Sequence, residues 1–257
     1  MIDLHSHLLP NIDDGPKDLA QSLEMARIAV ADGIGIMACT PHIMPGVFDN
    51  KGPDIRAAVA KLQNELDQAG IPLILATGAD AHLAPNLLEG LKSGRVPRLG
   101  TSRYFLLEPP QDVLPPRFGD YTFGLLSAGF VPLLTHPERS PWIESHYKTL
   151  VAAVRSGVWI QVTAGAILGH FGRRAVYWVS RLLEDGLVHV IASDAHDTEK
   201  RPPRMQAAVE FVEKQIGPEE ARNLVVIRPA GVLRNVAPAD LPAPRGRDKV
   251  AGAVRKA

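Results

Sequence analysis

Residues Met1–His42 read MIDLHSHLLPNIDDGPKDLAQSLEMARIAVADGIGIMACTPH. They contain one complete structural unit. Ile2–Leu4 is a short strand candidate, apolar at both ends, that delivers His5 and His7 at its carboxyl end. Leu19, Leu23, Ala26 and Val30 then form a stripe at 3.6-residue spacing, and Gly33 stops the helix that this spacing predicts. Ile34–Cys39 is a second apolar run, and it is followed by His42. A strand, a helix and a strand in this order point to a parallel sheet.

The same pattern continues along the chain. Leu73–Ala76, Tyr104–Leu107, Val131–Leu134, Trp159–Val162 and Val188–Ala192 are further strand candidates, with Leu224–Ile227 as a weaker eighth. Ile55, Val59, Leu62 and Leu66 mark a helix ended by Gly70, and Val176, Val179, Leu182 and Leu183 mark another ended by Gly186. Such alternation fits a closed α/β barrel better than a doubly wound open sheet, which is the alternative. No G-x-G-x-x-G follows a strand, and no G-x-x-x-x-G-K-[ST] occurs, so nucleotide-fold signatures are absent. From Ala237 onward the sequence APADLPAPRGRDKVAGAVRKA is rich in proline, alanine and charge. The expectation is a barrel over residues 1–236 and a loose tail over 237–257.

Composition narrows the function. Lysine plus arginine and aspartate plus glutamate each total 28, so no basic excess suggests a nucleic acid or an anionic membrane as partner. No apolar run approaches the ~20 residues that span a bilayer. The N-terminus lacks the basic region and apolar stretch of a signal peptide, and a cytoplasmic location is expected. A single cysteine, Cys39, excludes an internal disulfide and any multi-thiolate zinc site. Thiolate phosphatases carry an arginine six positions after the cysteine, and here that position is Pro45. No G-x-S-x-G appears either.

The polar residues fall where a barrel would gather them. The strand ends are followed or closed by His5 and His7, His42, Asp80 and His82, Glu108, His136, and Asp194 and His196. The sixth strand is the exception, ending in Thr163. The carboxyl ends of barrel strands share one face, so residues scattered through the sequence converge there. Residues i and i+2 of a strand point the same way, which lets His5/His7 and Asp194/His196 each offer two ligands to one centre. Buried carboxylates are costly without partners, and this crowd of imidazoles and acids calls for cations among them. Ligands of this kind without thiolate suit Mn²⁺, Fe²⁺ or Zn²⁺, and Mg²⁺ less well. His146, His170 and His189 read as structural or solvent-facing. His82 is open to either reading, because it shares a face with Asp80.

The segments DLHSHLLPNIDDG, CTPH, TGAD, LLEPP, THPER, QVTAGAILGHFG and ASDAHDTEKRPP together resemble the polymerase-and-histidinol-phosphatase superfamily. More narrowly, the chain is similar to its bacterial manganese-dependent protein-tyrosine phosphatases of capsule and exopolysaccharide synthesis. The resemblance implies an α/β fold built as a distorted (β/α)7 barrel with three divalent metal ions, Mn²⁺ first among the candidates. It places His5, His7, Asp80 and Asp194 on the first ion. Asp80, Glu108 and His136 hold the second, and Asp14, His42 and His196 the third. Arg139 and Arg201 match the phosphate-binding arginines, with His42 beside them in the catalytic set. The implied partner is a phosphotyrosine protein, a bacterial tyrosine autokinase, with no nucleic acid and no membrane insertion. Asp80 stands where the family usually carries glutamate, and Ile43 where it tends to carry a basic residue or histidine. The alternatives are a superfamily phosphatase or nuclease acting on histidinol phosphate or a nucleotide, a metal-dependent amidohydrolase, and a non-catalytic metal-binding protein.

Overall fold

Each of the seven stronger strand candidates forms a strand in the computed structural model, which describes residues 1–246. In chain order the elements are β1 Ile2–Ser6, α1 Leu19–Ala31, β2 Ile36–Cys39, β3 His42–Ile43, α2 Gly52–Gln68, β4 Ile74–Thr77 and β5 Asp80–His82. They continue with α3 Leu87–Ser93, β6 Tyr104–Glu108, α4 Phe118–Ser127, β7 Val131–Thr135, α5 Ile143–Arg155, β8 Trp159–Thr163, α6 Ala164–Ile167 and α7 Gly172–Glu184. The last are β9 Val190–Ala192, α8 Gln206–Ile216, α9 Pro218–Arg222 and α10 Arg228–Leu233.

All strand pairs are parallel, and the fold is mixed α/β. The strands divide into two sheets, ordered β1-β2-β4 and β3-β5-β6-β7-β8-β9, where one closed barrel was expected. The division falls at two interruptions. Pro41 offers no N–H to continue the ladder beyond β2. Gly78 carries the chain past Thr40 after β4, where a Cβ would lie 2.7 Å from Thr40 Cγ2. Gly78 N donates to Cys39 O at 2.9 Å, and Asp80 N to Thr40 O at 3.2 Å and Pro41 O at 3.1 Å. The backbone thus crosses from the small sheet to the large one, and His42 and Asp80 open the two strands that begin there. At the other seam, His7 N donates to Ala195 O at 2.8 Å and Asp194 N to His5 O at 2.9 Å. The carboxyl ends of β1 and β9 therefore meet.

The core lies on both sides of the strands, as expected for parallel sheets. Along β6, Tyr104 and Leu106 belong to one apolar cluster and Phe105 and Leu107 to the other. On α2 the expected stripe Ile55, Val59, Leu62 and Leu66 is buried throughout. On α1 the buried face is Ser22, Met25, Ala26 and Ala29, turned slightly from the expected stripe. The Asp18 side chain caps α1 by accepting from Gln21 N at 2.9 Å. Gly33 ends it with a φ of 87°.

Two expectations are corrected. Leu224–Ile227 is not a strand: residues Asn223–Ile227 form a π-helical turn between α9 and α10. A short β-branched apolar run carries no periodicity that separates strand from helix, and here the flanking helices decide. Residues 237–246 are not loose. Pro238–Asp240 form a 3₁₀ turn, and the Pro242 and Ala243 carbonyls accept from Arg228 at 2.7 and 2.9 Å. The rest of the expected tail, 247–257, lies outside the described residues. Among the described residues no helix is long and apolar enough to cross a membrane.

Candidate metal centre

The strand ends bring together the nine residues expected as ligands. His5 lies in β1 and His7 just past it. His42 opens β3, Asp80 opens β5, Glu108 closes β6, His136 follows β7, and Asp194 and His196 follow β9. Asp14 reaches in from the loop before α1. Their donor atoms fall into overlapping groups within 4.8 Å of one another: His7, Asp14, His42 and His196; His5, His7 and Asp80; His5, His136 and Asp194; and Asp80, Glu108 and His136. A further group unites His42, His82 and Glu108. His5 Nε2 is 3.6 Å from Asp80 Oδ2 and 3.3 Å from Asp194 Oδ1. His42 Nδ1 lies 3.3 Å from Asp80 Oδ2, while its Nε2 faces Asp14 Oδ1 at 3.5 Å.

Asp80 is the test of what this cradle accepts. Its side chain is fully buried, and neither oxygen receives a hydrogen bond from a described residue. Buried carboxylates are otherwise paired or coordinate metals. The surrounding imidazoles and carboxylates are hard-to-borderline ligands that fit divalent cations.

Several neighbours that orient these groups escaped the sequence reading. Asp13, not Asp14, holds His7: its Oδ2 accepts from His7 Nδ1 at 2.7 Å and from His42 N at 3.0 Å. Gln161 Oε1 meets His5 Nδ1 at 2.9 Å, so the sixth strand contributes through Gln161 and not through Thr163. Buried Asp3 accepts from Ser193 N at 3.1 Å and from its hydroxyl at 2.5 Å. Buried Glu138 accepts from Thr163 N at 2.8 Å. A ligating histidine usually needs an acceptor for its other ring nitrogen. A polar residue inside an otherwise apolar strand, such as Gln161, was the available signal.

Arg139 and Arg201 converge on Asp194 Oδ2 from different loops. Arg139 also sits over the Phe171 ring, 4.3 Å from its centroid. Arg201 Nε is buried with no hydrogen-bond partner among the described residues. The backbone is tense where the chemistry gathers. His136 and Asp194 adopt φ of 33° and 53°, a region that costs non-glycine residues energy and that recurs at functional sites.

Electrostatics follow from burial and crowding. Burial lowers the pKa of His5 and, with neighbouring imidazoles, pushes His7 well below its ordinary value. Burial and the Arg139 charge bring His136 down to about 3. These rings are neutral at pH 7, the form that ligates metal. Burial, then the Glu108 charge, raises Asp80 well above the carboxylate range. Asp194 is held well below it although burial opposes this, because His5, Arg201, His136 and Arg139 surround it. Burial also opposes ionisation of Asp14, yet His196 brings its pKa to about 2. Away from the site, burial pushes the Cys39 thiol up, which leaves no thiolate nucleophile. His189 is buried, His170 is exposed, and His146 Nδ1 bonds within its own helix turn to Trp142 O at 3.2 Å.

Known proteins share this arrangement of sequence and fold. Tyrosine-protein phosphatase YwqE of Bacillus subtilis is 35% identical over 219 residues, covering 85% of this chain and 86% of the relative. Tyrosine-protein phosphatase CpsB of Streptococcus pneumoniae is 28% identical over 238 residues, covering 91% and 98%. A crystal structure from the pair YwqE and CpsB, described as unique metal-dependent tyrosine phosphatases, superposes with a TM-score of 0.90 at 33% identity. It covers 96% of this chain and 99% of that chain. A family model described as capsular polysaccharide synthesis, CpsB/CapC, matches residues 1–234. The chain therefore belongs to the CpsB/CapC capsular polysaccharide synthesis family.

Proposed function

We propose that this chain is a metal-dependent protein-tyrosine phosphatase, with residues 1–236 as its catalytic unit. The two sheets are then the halves of a distorted (β/α)7 barrel. The observation that carries the reading is Asp80, a fully buried carboxylate without a hydrogen-bond donor, ringed by imidazoles. Three divalent ions fit the donor set. His5, His7, Asp80 and Asp194 would hold the first, Asp80, Glu108 and His136 the second, and Asp14, His42 and His196 the third. Imidazole content favours Mn²⁺, Fe²⁺ or Zn²⁺ over Mg²⁺. Such ions, when bound, make water a nucleophile near neutral pH and neutralise charge on a phosphoryl group.

The chain's own residues supply the rest. Arg139 and Arg201 form a pair of planar guanidiniums that fork onto phosphoryl oxygens, and the free Arg201 Nε is a donor still to be used. Phe171 under Arg139 fixes the direction of that fork. Asp13 and Gln161 set the tautomers of His7 and His5 so that their Nε2 atoms face the cradle. A phenolate leaving group, with pKa near 10, needs little protonation. The relatives' activity and the family's tie to capsule synthesis support phosphotyrosine on a bacterial tyrosine autokinase as substrate. A lone reduced cysteine supports a cytoplasmic setting.

The test is turnover of p-nitrophenyl phosphate and a phosphotyrosine peptide by the full chain. Chelation abolishes it and Mn²⁺ restores it. Turnover that survives exhaustive metal removal overturns the reading. Faster hydrolysis of histidinol phosphate or nucleotides moves the substrate class within the same chemistry.

A further inference from the structure

His82 has no role in the ligand sets above, yet the sheet register delivers it to the centre. β5 pairs with β6 so that His82 lies beside Glu108, and β3 pairs with β5 so that His42 lies beside Asp80. His82 is two residues after Asp80 on the same strand and so projects from the same face. Its Nε2 is 2.6 Å from Glu108 Oε2 and 3.3 Å from His42 Nδ1. His42 Nδ1 is in turn 3.5 Å from the same Glu108 oxygen. The three side chains are largely shielded, with relative exposures of 17% for His82 and 14% for Glu108 and His42. Two imidazole nitrogens and a carboxylate oxygen thus point at one small volume.

Resting on the reading of this centre as one that binds divalent cations, we propose that His82 is a metal ligand in this chain. With Glu108 it forms an additional cation position on the side of the centre away from Asp194. Glu108 can serve both sides, because its Oε1 faces His136 at 3.7 Å while its Oε2 faces His82. His42 cannot. It presents Nε2 to Asp14 and Nδ1 to His82, and a neutral imidazole has one lone pair to give. His42 therefore serves either the Asp14–His196 ion or the His82–Glu108 ion, and His82 and Glu108 are the committed ligands of the latter. The cation class is a divalent first-row transition metal, since imidazole is a poor ligand for Mg²⁺ and Ca²⁺. The position is reachable: His82 lines a cavity of about 410 Å³ together with Ile43, Asn50, Ala84 and Leu87. The competing account is a cross-strand ion pair that only steadies the ends of β5 and β6.

Metal-stripped full-length protein titrated with Co²⁺ separates the two. The wild type is expected to show a strongly hyperfine-shifted imidazole N–H proton that is missing in His82→Ala. That variant also binds one cation at least about tenfold more weakly, in the range seen when a metal site loses a supporting group. Added free imidazole, admitted through the cavity, restores the lost cation in His82→Ala. His82→Gln keeps an N–H for Glu108 and so preserves a purely structural pair, yet it too is expected to lose the shifted signal. The proposal is overturned if His82→Ala keeps the wild-type Co²⁺ affinity and signals, or if His82→Gln behaves as wild type. Failure of the broader reading looks different: wild-type protein would then take up no Co²⁺ at all.

Discussion

Arg228 and Asp80 are both fully buried, and the chain treats them in opposite ways. Arg228 is enclosed by its own protein: it donates to Glu220 Oε1 at 2.6 Å, Pro242 O at 2.7 Å, Ala243 O at 2.9 Å and His189 O at 3.3 Å. Asp80 is given no hydrogen bond: among the described residues only the ring nitrogens of His42 and His5 approach it, at 3.3 and 3.6 Å from Oδ2, and Glu108 adds a second negative charge close by. One buried charge completes the fold, and the other leaves the fold incomplete. A protein that satisfies a buried guanidinium four times over has the means to satisfy a carboxylate, so a buried carboxylate left unsatisfied marks a functional site. Asp194 stands between the two conditions. Its Oδ2 is taken by Arg139 and Arg201, and its Oδ1 faces His5, His7 and His196 at 3.3, 3.6 and 3.7 Å.

The closed side should break by stability alone. Glu220→Ala strands the Arg228 charge, and removing one partner of a buried pair costs about 3–5 kcal/mol. Urea unfolding would show this loss, while the folded fraction keeps its metal affinity. The open side should break by activity alone. Asp80→Asn is expected to cut turnover by more than about 100-fold, beyond what loss of a merely supporting group costs. The metal-free Asp80→Asn chain should nevertheless be more stable, by about 1–2 kcal/mol, as when a strained active-site group is removed. The sign follows from linkage. A folded pKa raised above the unfolded value means that stability falls as pH rises through that range, so the gain from Asp80→Asn is larger at pH 8 than at pH 4. Equal destabilisation by the two substitutions would erase the comparison.

Much of the open side was legible in the sequence because strand periodicity fixes both the position and the facing of strand-end residues. His5, His42, Asp80, Glu108, His136 and Asp194 could be placed from seven apolar runs without any contact being known. The closed side was illegible. Nothing local marks Arg228 as buried, since its partners His189, Glu220 and Pro242 come from three separate segments. For the same reason the segment from Ala237 read as loose, although its carbonyls are what Arg228 requires. The separate roles of Asp13, on His7, and Asp14, in the ligand cluster, were not legible because adjacent aspartates in a loop have no period to tell them apart. The two-sheet division was hidden as well, since Thr40–Pro41 and Gly78–Ala79 read as ordinary strand ends until their mutual contact is seen.

Asp194 is satisfied on one oxygen and open on the other. Arg139→Lys keeps a positive charge beside Asp194 but loses the planar fork and the stacking on Phe171. Loss of a hydrogen bond to a charged phosphoryl oxygen, at about 1.5–3 kcal/mol, predicts a fall in kcat/KM of roughly tenfold or more. Metal content should not change, because Arg139 touches the oxygen of Asp194 that the imidazoles do not face. A fall in bound metal equal to the fall in activity would show that Arg139 supports the ligand set and not the substrate.

The smallest effect tests whether the closed side is truly closed. His189 is 6% exposed, stacks on Trp159 at 4.7 Å, and its Nδ1 accepts from Ile160 N at 3.1 Å. Burial first, and then the Arg228 charge, lowers its pKa to about 3. A base with a depressed folded pKa is protonated in the unfolded chain before it is protonated in the folded one. Its contribution to stability is therefore intact above the unfolded pKa, near 6.5, and is lost as pH falls toward 3. Between pH 7.5 and 5.5 this linkage amounts to about 1.3 kcal/mol. Urea unfolding of the metal-free wild type and of His189→Asn at these two pH values isolates the term. Asp3 and Glu138, whose pKa values burial raises to about 6 and about 7, shift stability in the opposite direction but act equally in both proteins and cancel. The wild type should lose about 1 kcal/mol more than the variant on acidification. Identical losses would mean that His189 takes up its proton inside the fold. The Arg228 cluster would then admit charge as readily as the Asp80 cradle, and the contrast between a finished interior and an unfinished one would fail at its satisfied end.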